Sequence, residues 1–241
     1  MIEQIFDRTR LLTGEDAMRR ISETRVIVFG IGGVGSWAVE SLVRTGISHI
    51  TLVDSDTISP SNVNRQLPAT TLTVGEPKVE AARRHLMEIN PNADIRAIRM
   101  FYSEDTAKEI DFSEYDYIVD AIDSLKDKAL LILNATASGK KLFSSMGAAL
   151  KMDPARIHTA EFRNVKGCPL ARALRNKFKK DHTFPSKKFL CVYSDELLDN
   201  KGATTETCEY KARINGSLAH ITGIFGLTLA GEIIKDICRE E

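Results

Sequence analysis

Residues 26–40 read VIVFGIGGVGSWAVE, with four glycines between a strand-forming run and a helical pattern. Gly30, Gly32 and Gly35 have the spacing G-x-G-x-x-G, which lets backbone approach a phosphate closely, while the free N–H groups at the helix start attract the anion. Asp54 ends the next apolar run, where a carboxylate accepts hydrogen bonds from ribose hydroxyls. These residues predict a bound nucleotide, and alone they favour a nicotinamide oxidoreductase.

The segment 54–66, DSDTISPSNVNRQ, follows that apolar run and is rich in polar and charged groups. Ligands of open α/β sheets bind where the strands end, so we expect this loop to lie over the nucleotide. Arg65 is a planar fork suited to phosphate oxygens. The alternative is a surface arginine with an acidic partner.

Lys78 falls in the first turn of a predicted helix. A cation there faces the positive end of the helix dipole, and a bound triphosphate would remove that conflict. The alternative is a lysine that extends into solvent.

Asp120 and Asp123, in YIVDAIDS, close a further apolar run. Mg²⁺ typically takes one or two carboxylates together with phosphate oxygens. Asp123 or Ser124 could equally cap the helix that follows. Together with Arg65 and Lys78, these groups favour ATP over NAD, which has no triphosphate.

Alternating apolar runs and helical patterns predict parallel strand pairing with right-handed crossovers. The predicted fold is α/β, a doubly wound Rossmann-like sheet with helices on both faces, over residues 1–150. The predicted strands are Val26–Phe29, Ile50–Val53, Ile95–Ile98, Tyr117–Ile122 and Lys141–Ser145, and the helices are Ser36–Thr45, Pro77–Asn90 and Ser124–Ser138.

The pattern changes in residues 151–241, which are predicted to form a C-terminal β/α extension of the same single domain. Strands are expected at Ile157–Phe162 and Phe189–Tyr193. The apolar stretch 217–237 is predicted to be a buried helix rather than a membrane contact, because His220 and Glu232 interrupt it.

Composition excludes a strong overall charge, since 33 Lys and Arg balance 33 Asp and Glu in 241 residues. Any attraction to nucleic acid must therefore come from a local patch. The charged N-terminal segment MIEQIFDRTR is unlike a signal peptide, and the four cysteines form no C-x-x-C pair. We expect a cytoplasmic protein with no membrane partner and no structural zinc.

Seven ordered blocks resemble the ThiF/MoeB/HesA superfamily, whose members activate carboxylates with ATP. They are RTRLLTG at 8–14, with Arg8, Leu11 or Leu12 and Gly14 as the matched positions, GIGGVGS at 30–36, LVDSD at 52–56, SNVNRQ at 61–66, GEPK at 75–78, INP at 89–91 and DAIDS at 120–124. The blocks cover the first 150 residues densely and the remainder more loosely.

The resemblance implies an adenylate-forming enzyme in which Arg8, donated by the partner of a homodimer, acts with Arg65, Lys78 and Asp123. Asp123 would also position Mg²⁺. The implied ATP-binding residues are Gly30, Gly32, Gly33, Gly35, Asp54, Asp56, Asn62, Arg65, Gln66, Lys78, Asp123 and Ser124. Gly33, which the dinucleotide pattern does not require, is expected to make room beside the triphosphate.

Three blocks, GIGGVGSWAVESLVRTG at 30–46, DAIDS at 120–124 and IFGLTLAGE at 224–232, look most similar to the zinc-free branch of tRNA threonylcarbamoyladenosine dehydratases. The sequence also lacks the C-x-x-C pairs of the zinc-binding relatives. This branch implies adenylation of the threonylcarbamoyl carboxylate in tRNA, then ring closure with net loss of water. The alternatives are adenylation of a Gly-Gly-tailed sulfur-carrier protein, nicotinamide oxidoreduction and a non-catalytic nucleotide-binding scaffold.

A tRNA substrate needs positive charge near the ATP. The segment 172–188 is conspicuously basic, and its tRNA contact candidates are Arg172, Arg175, Lys177, Lys179 and Lys180. The alternative is a solvated helix face.

Some relatives use a cysteine and a sulfur-transfer protein as partner. Cys208 is the best candidate for an exposed thiol, whereas Cys191 and Cys238 are expected to be small core residues. Ring closure needs no cysteine, so none is assigned a role.

Overall fold

A computed structural model describes residues 4–203 and 215–239. One seven-stranded sheet has the order β3-β2-β1-β4-β5-β7-β6. All neighbouring strands are parallel except β6 and β7. The strands are β1 Arg25–Phe29, β2 His49–Val53, β3 Asp94–Ile98, β4 Tyr117–Asp120, β5 Lys141–Ser145, β6 Ile157–Glu161 and β7 Leu190–Ser194.

The α-helices of the described residues surround this sheet. They are α1 Asp7–Thr13, α2 Glu15–Glu23, α3 Gly35–Thr45, α4 Lys78–Ile89, α5 Leu125–Ala137, α6 Pro169–Lys180 and α7 Ala219–Cys238. Short 3-10 helices occur at Pro60–Asn62, Ala107–Glu109, Phe112–Glu114, Pro154–Arg156 and Phe162–Asn164.

Side-chain alternation along the strands divides the core between two faces. In β1, Val26 and Val28 face one cluster, which α3, α4 and α7 cover. Ile27 and Phe29 face the other, which α5 and α6 cover. The predicted doubly wound α/β sheet with helices on both faces is confirmed.

The predicted elements differ from the observed ones mainly at their ends. The largest shift is in β4, which was expected to reach Ile122 and stops at Asp120. Here the Asp120 side chain accepts a hydrogen bond from the N–H of Ile122, two residues later, at 3.1 Å. That side-chain bond takes the place of a strand hydrogen bond and releases the chain toward Asp123.

Helices α1 and α2 were not predicted. Gly14 separates them with φ +83°, and α1 buries no residue. Helix α2 lies at the amino ends of the strands, because Arg20 Nε donates to Ile237 O at 3.1 Å and Met18 packs against Gly46. For α1 the reason is that a short helix with no buried face has no periodic apolar signal.

The residues after 151 join the same sheet, since β7 pairs with β5 and β6 forms the antiparallel edge. Helix α7 packs against α3, so the predicted buried helix is confirmed; no described helix has the length and hydropathy needed to span a membrane. At Gly226 an added Cβ would lie 2.4 Å from Val34 O, so this glycine permits the close approach.

Candidate active site

The glycine turn has a fixed shape because two of its glycines are enclosed by backbone. Gly30 has φ +87°, and an added Cβ would lie 2.8 Å from Ala121 O. A Cβ on Gly35 would lie 1.8 Å from Gly30 O. At Gly32, the nearest atom to an added Cβ is Gln66 Nε2 at 3.9 Å. Gly32 therefore presents the open backbone that a phosphate can approach.

Gly33 is enclosed by side chains rather than by backbone. An added Cβ would meet Thr222 Cγ2 at 3.1 Å and Arg65 Cγ at 3.3 Å. The space at Gly33 is thus taken up by side chains of the protein, whereas the space at Gly32 is open. Thr222 was not identified from the sequence, because it lies far along the chain on α7.

Asp54 lies beside the turn at the end of β2. Its Oδ2 accepts from the Ile31 N–H at 2.6 Å and its Oδ1 from the Asp56 N–H at 2.8 Å. A carboxylate offers about four acceptor positions, so each oxygen can still accept a ribose hydroxyl. Burial raises the pKa of Asp54, although the nearby charge of Lys78 works in the opposite direction.

The loop 54–66 is tied to α3 and to the start of α7. Trp37 Nε1 donates to Arg65 O at 3.1 Å, and Asn64 Nδ2 donates to Ser217 O at 3.1 Å. Arg65 Nη1 is held by Ser61 O and by Asn64 Oδ1, each at 2.9 Å. These bonds orient the Arg65 guanidinium beside the glycine turn. Trp37, the one tryptophan of the sequence, was missed as a supporting residue.

Asn62 has a structural role in the same loop. Its Oδ1 accepts from the Ser59 N–H at 3.1 Å and forms a capping box around the 3-10 helix Pro60–Asn62. The side-chain amide nitrogen of Asn62 is a donor, and a phosphate oxygen could accept a hydrogen bond from it.

Lys78 begins α4 and is only 6% exposed, so extension into solvent is wrong. Its Nζ lies 2.6 Å from Asp56 Oδ2. From the sequence, a bound triphosphate was expected to offset the unfavourable position of the Lys78 charge at the start of the helix. In the structure, the Asp56 carboxylate already supplies a counter-charge. What remains is a buried cation whose ion pair holds it near Asp54.

Gln66 is 6% exposed and its Oε1 has no hydrogen-bond partner within the described residues. A buried polar atom without a partner is destabilising by about 1–3 kcal/mol. Nε2 of the same amide lies 3.9 Å from an added Cβ on Gly32, so the Gln66 side chain borders the glycine turn. An amide Nε2 is a donor, which suits a phosphate oxygen at the turn.

Asp123 and Ser124 follow β4 at the same edge of the sheet. Asp123 is exposed, and Ser124 is the N-cap residue of α5 without a side-chain cap bond. Ser124 Oγ instead donates to Asp127 Oδ2 at 2.6 Å. The described residues contain no cluster of three or more potential metal ligands. A single carboxylate nevertheless fits Mg²⁺ when phosphate oxygens complete the coordination.

Arg8 is exposed on α1, which joins α2 at the amino ends of the strands. The glycine turn lies at their carboxyl ends. The structure therefore does not bring Arg8 to the turn of its own chain.

The five tRNA contact candidates lie on α6. This helix begins near the carboxyl ends of the strands and ends near their amino ends. Gly167, just before α6, packs against Asp195, which follows β7. Phe178 packs against Phe162, whose N–H donates to Phe189 O before β7 begins. Arg172 is consequently on the same side as the glycine turn.

The remaining tRNA candidates lie farther from the turn. Arg175 Nη1 donates to Phe162 O at 3.2 Å, and Lys177 pairs with Asp181 at 2.7 Å. Lys179 and Lys180 are exposed at the end of α6. The structure thus separates Arg172 from the terminal lysines.

The cysteines of the described residues are free and differ in burial. Cys191 is fully buried, and this burial raises its pKa well above the ordinary value. Cys168 is buried and Cys238 partly exposed, and all three are free. A buried apolar surrounding disfavours the reactive thiolate. Cys208 lies outside the described residues.

A model of the ThiF family matches residues 6–241. The tRNA threonylcarbamoyladenosine dehydratase of Bacillus subtilis is 33% identical over 98% of this chain and 95% of its own length. The molybdopterin-synthase adenylyltransferase of Escherichia coli is 33% identical over 61% of this chain and 59% of its own length.

A solved structure shares the complete fold. The E. coli tRNA N6-threonylcarbamoyladenosine dehydratase in complex with ATP superimposes with a TM-score of 0.86. The two chains are 32% identical, and the alignment covers 97% of this chain and 93% of the other.

Proposed function

The chain belongs to the ThiF family, and we propose that it is an ATP-dependent tRNA threonylcarbamoyladenosine dehydratase. The reaction activates the threonylcarbamoyl carboxylate of N6-threonylcarbamoyladenosine by adenylation and then closes a ring. The overall change is the loss of one water from the nucleoside, with ATP converted to AMP and pyrophosphate.

The observation that carries this proposal is the open backbone at Gly32, which the Gln66 Nε2 donor borders. It supports a ligand at the turn, and the solved relative of the same fold binds ATP. Full-length similarity to dehydratases favours this acceptor over a sulfur-carrier protein, because the molybdopterin-synthase adenylyltransferase matches only part of the chain. The ThiF match likewise disfavours nicotinamide oxidoreduction.

Asp54 would accept hydrogen bonds from the ribose, since both of its oxygens are already oriented by backbone N–H groups. The carboxylate must be ionised to accept on both oxygens.

Arg65, Lys78 and Asn62 would bind the phosphates. Arg65 is pre-oriented by two acceptors, and Lys78 is held by Asp56, so little side-chain entropy is lost when the triphosphate binds. Asp123 would hold Mg²⁺, which when bound neutralises and orients phosphate oxygens.

The first chemical step forms a bond between the substrate carboxylate oxygen and the α-phosphorus while the bond to the bridging oxygen breaks, and pyrophosphate leaves. Catalysis of such a transfer is mostly positioning and charge neutralisation, which Arg65 and Lys78 supply. In the second step a nucleophile of the same modification attacks the activated carbonyl carbon. AMP leaves with the former carboxylate oxygen, and the proton of the nucleophile is released.

We further propose that the enzyme is a homodimer in which Arg8 serves the partner's site, because Arg8 is remote from its own turn. tRNA would contact the exposed cations of α6. We place the reaction in the cytoplasm. A sulfur-transfer protein remains a candidate partner.

The decisive experiment supplies tRNA carrying N6-threonylcarbamoyladenosine with ATP and Mg²⁺. Mass spectrometry is expected to show a nucleoside lighter by one water, together with AMP and pyrophosphate. Arg65→Ala or Lys78→Ala should each reduce turnover by about 10²-fold or more, because each removes a charge from the transferred phosphate. Arg84→Ala is the matched control, since Arg84 pairs with Glu76 on the exposed side of α4.

An unchanged nucleoside mass with verified substrate would refute the dehydratase proposal. Pyrophosphate exchange that depends on a Gly-Gly-tailed protein would support the sulfur-carrier alternative. Full activity of both Ala variants would indicate that neither cation takes part in the reaction.

A further inference from the structure

An ion pair outside the predicted site lies completely buried beneath it. Asp120 is the last residue of β4, near the centre of the sheet, and Lys128 is on α5. Both side chains are 0% exposed, and Lys128 Nζ lies 2.8 Å from Asp120 Oδ2. From the sequence, Asp120 is a candidate metal ligand, but in the structure it is the partner of Lys128.

Each member of this pair also makes a hydrogen bond to the backbone of Ile122. Asp120 Oδ1 accepts from the Ile122 N–H at 3.1 Å, and Lys128 Nζ donates to Ile122 O at 3.0 Å. Ser144 Oγ, on the neighbouring strand, donates to Asp120 Oδ2 at 2.7 Å. Both backbone polar groups of Ile122 are therefore fixed by the ion pair.

The segment held in this way supports the glycine turn. Ala121 O is the atom that closes the space at Gly30, and Ala121 Cβ lies 3.3 Å from an added Cβ on Gly35. Asp123, the proposed Mg²⁺ ligand, follows Ile122 directly. The position of Ile122 thus determines where the Asp123 carboxylate stands relative to the turn.

Stability alone does not account for this arrangement. Desolvation of two charges offsets much of their attraction, and apolar replacements of buried pairs are often neutral or stabilising. The neighbouring strand β1 ends in Phe29, and β2, on the far side of β1, ends in Val53; both residues are buried and apolar. Of these three strands, only β4 ends in a charged pair. This points to a need for fixed backbone geometry at the end of β4.

We propose that Asp120 and Lys128 are positioning residues, which fix the Ile122 backbone between them and so hold Asp123 at the height where Mg²⁺-bound ATP meets the glycine turn. This inference rests on the proposed binding of Mg²⁺-ATP. It does not depend on the identity of the carboxylate substrate.

The test measures ATP binding by calorimetry, with and without Mg²⁺, for the intact chain and for the double variant Asp120→Asn/Lys128→Met. The double variant removes both charges, keeps similar side-chain volumes and leaves Ile122 O without its donor. We expect its affinity for ATP without Mg²⁺ to equal that of the parent. The gain in affinity from Mg²⁺ should fall several-fold, and turnover should fall on the order of 10- to 100-fold, because small misplacements cost that much in rate.

The control variant is Asp236→Asn. Asp236 accepts from Tyr117 Oη and pairs with Lys141 Nζ, each at 2.7 Å, at the amino ends of the strands. It should lower the melting temperature without changing the Mg²⁺-dependent gain. An unchanged gain in the double variant, or an equal loss in Asp236→Asn, would overturn the inference.

Ser144→Ala provides a second route if the double variant fails to fold. It removes one hydrogen bond from Asp120 and introduces no charge. A partial loss of the Mg²⁺-dependent gain supports the inference, and an unchanged gain overturns it. If the parent shows Mg²⁺-dependent ATP binding but no tRNA product, the proposed function fails while the positioning inference stands.

Discussion

At the scale of single residues, the glycines of the turn differ in which atoms an added side chain would meet. Gly30 and Gly35 are enclosed by backbone, Gly33 by side chains, and Gly32 by neither. The motif spacing alone treats these positions as equivalent nucleotide contacts. The structure distinguishes glycines that shape the turn from the one that faces a ligand.

Gly32→Ala should therefore weaken ATP binding without destabilising the fold. The added methyl group points into open space in the free protein but displaces the phosphate in the complex. We expect calorimetry to show about tenfold weaker ATP binding or more, while thermal unfolding stays near that of the parent.

Gly30→Ala is the contrasting variant. Its φ of +87° and its contact with Ala121 O predict a large loss of stability, of at least about 1–2 kcal/mol from the backbone conformation alone. Tight ATP binding by Gly32→Ala would contradict the assignment of Gly32 to the phosphates.

At the scale of elements, the direction of α6 is the main feature that composition did not reveal. Its basic residues are clustered in sequence, but 12 residues of helix extend about 18 Å and span the height of the sheet. Arg172 is left toward the carboxyl ends of the strands, the edge that also carries the glycine turn, and Lys179 and Lys180 are left at the opposite edge.

Charge reversal should therefore have unequal effects along α6. We expect Arg172→Glu to raise the KM for tRNA by about tenfold, because it removes a phosphate contact near the site of reaction and adds repulsion. Lys180→Glu, the matched control at the far end of the helix, should have a smaller effect. The same measurements at two salt concentrations should show a shallower salt dependence for Arg172→Glu.

A larger effect from Lys180→Glu would reverse this assignment. The tRNA body would then lie along the amino edge of the sheet.

Other elements show why the sequence predicted some features and not others. The strands were found because a sheet buried on both faces needs continuous apolar runs. Helix α1 was missed because it buries nothing, and the end of β4 was misplaced because one carboxylate redirects the backbone. The neutralisation of Lys78 by Asp56 was missed as well, since a loop conformation sets their distance.

At the scale of the whole molecule, α1 has no apolar face that its own chain covers. It has no buried residue, and Leu11 and Leu12 are 86% and 89% exposed. Arg8 lies on this same helix. These features agree with a homodimer in which α1 contacts the partner subunit.

Mixing two inactive variants tests this arrangement. Arg8→Ala and Arg65→Ala should each be poorly active alone. After subunit exchange, a mixed dimer of two-fold symmetry contains one site with both arginines, so about a quarter of parental activity should return.

No recovery after verified subunit exchange would show that Arg8 acts within its own chain or not at all. Full activity of Arg8→Ala alone would show that no site requires it.

The contact of α7 with α3 connects this architecture to protein synthesis. Thr222 reaches Gly33, and Gly226 packs on Val34, so a helix made late in translation supports a turn made early. The nascent chain therefore exposes its glycine turn long before α7 emerges to brace it. We expect ATP to be held firmly only after α7 has docked.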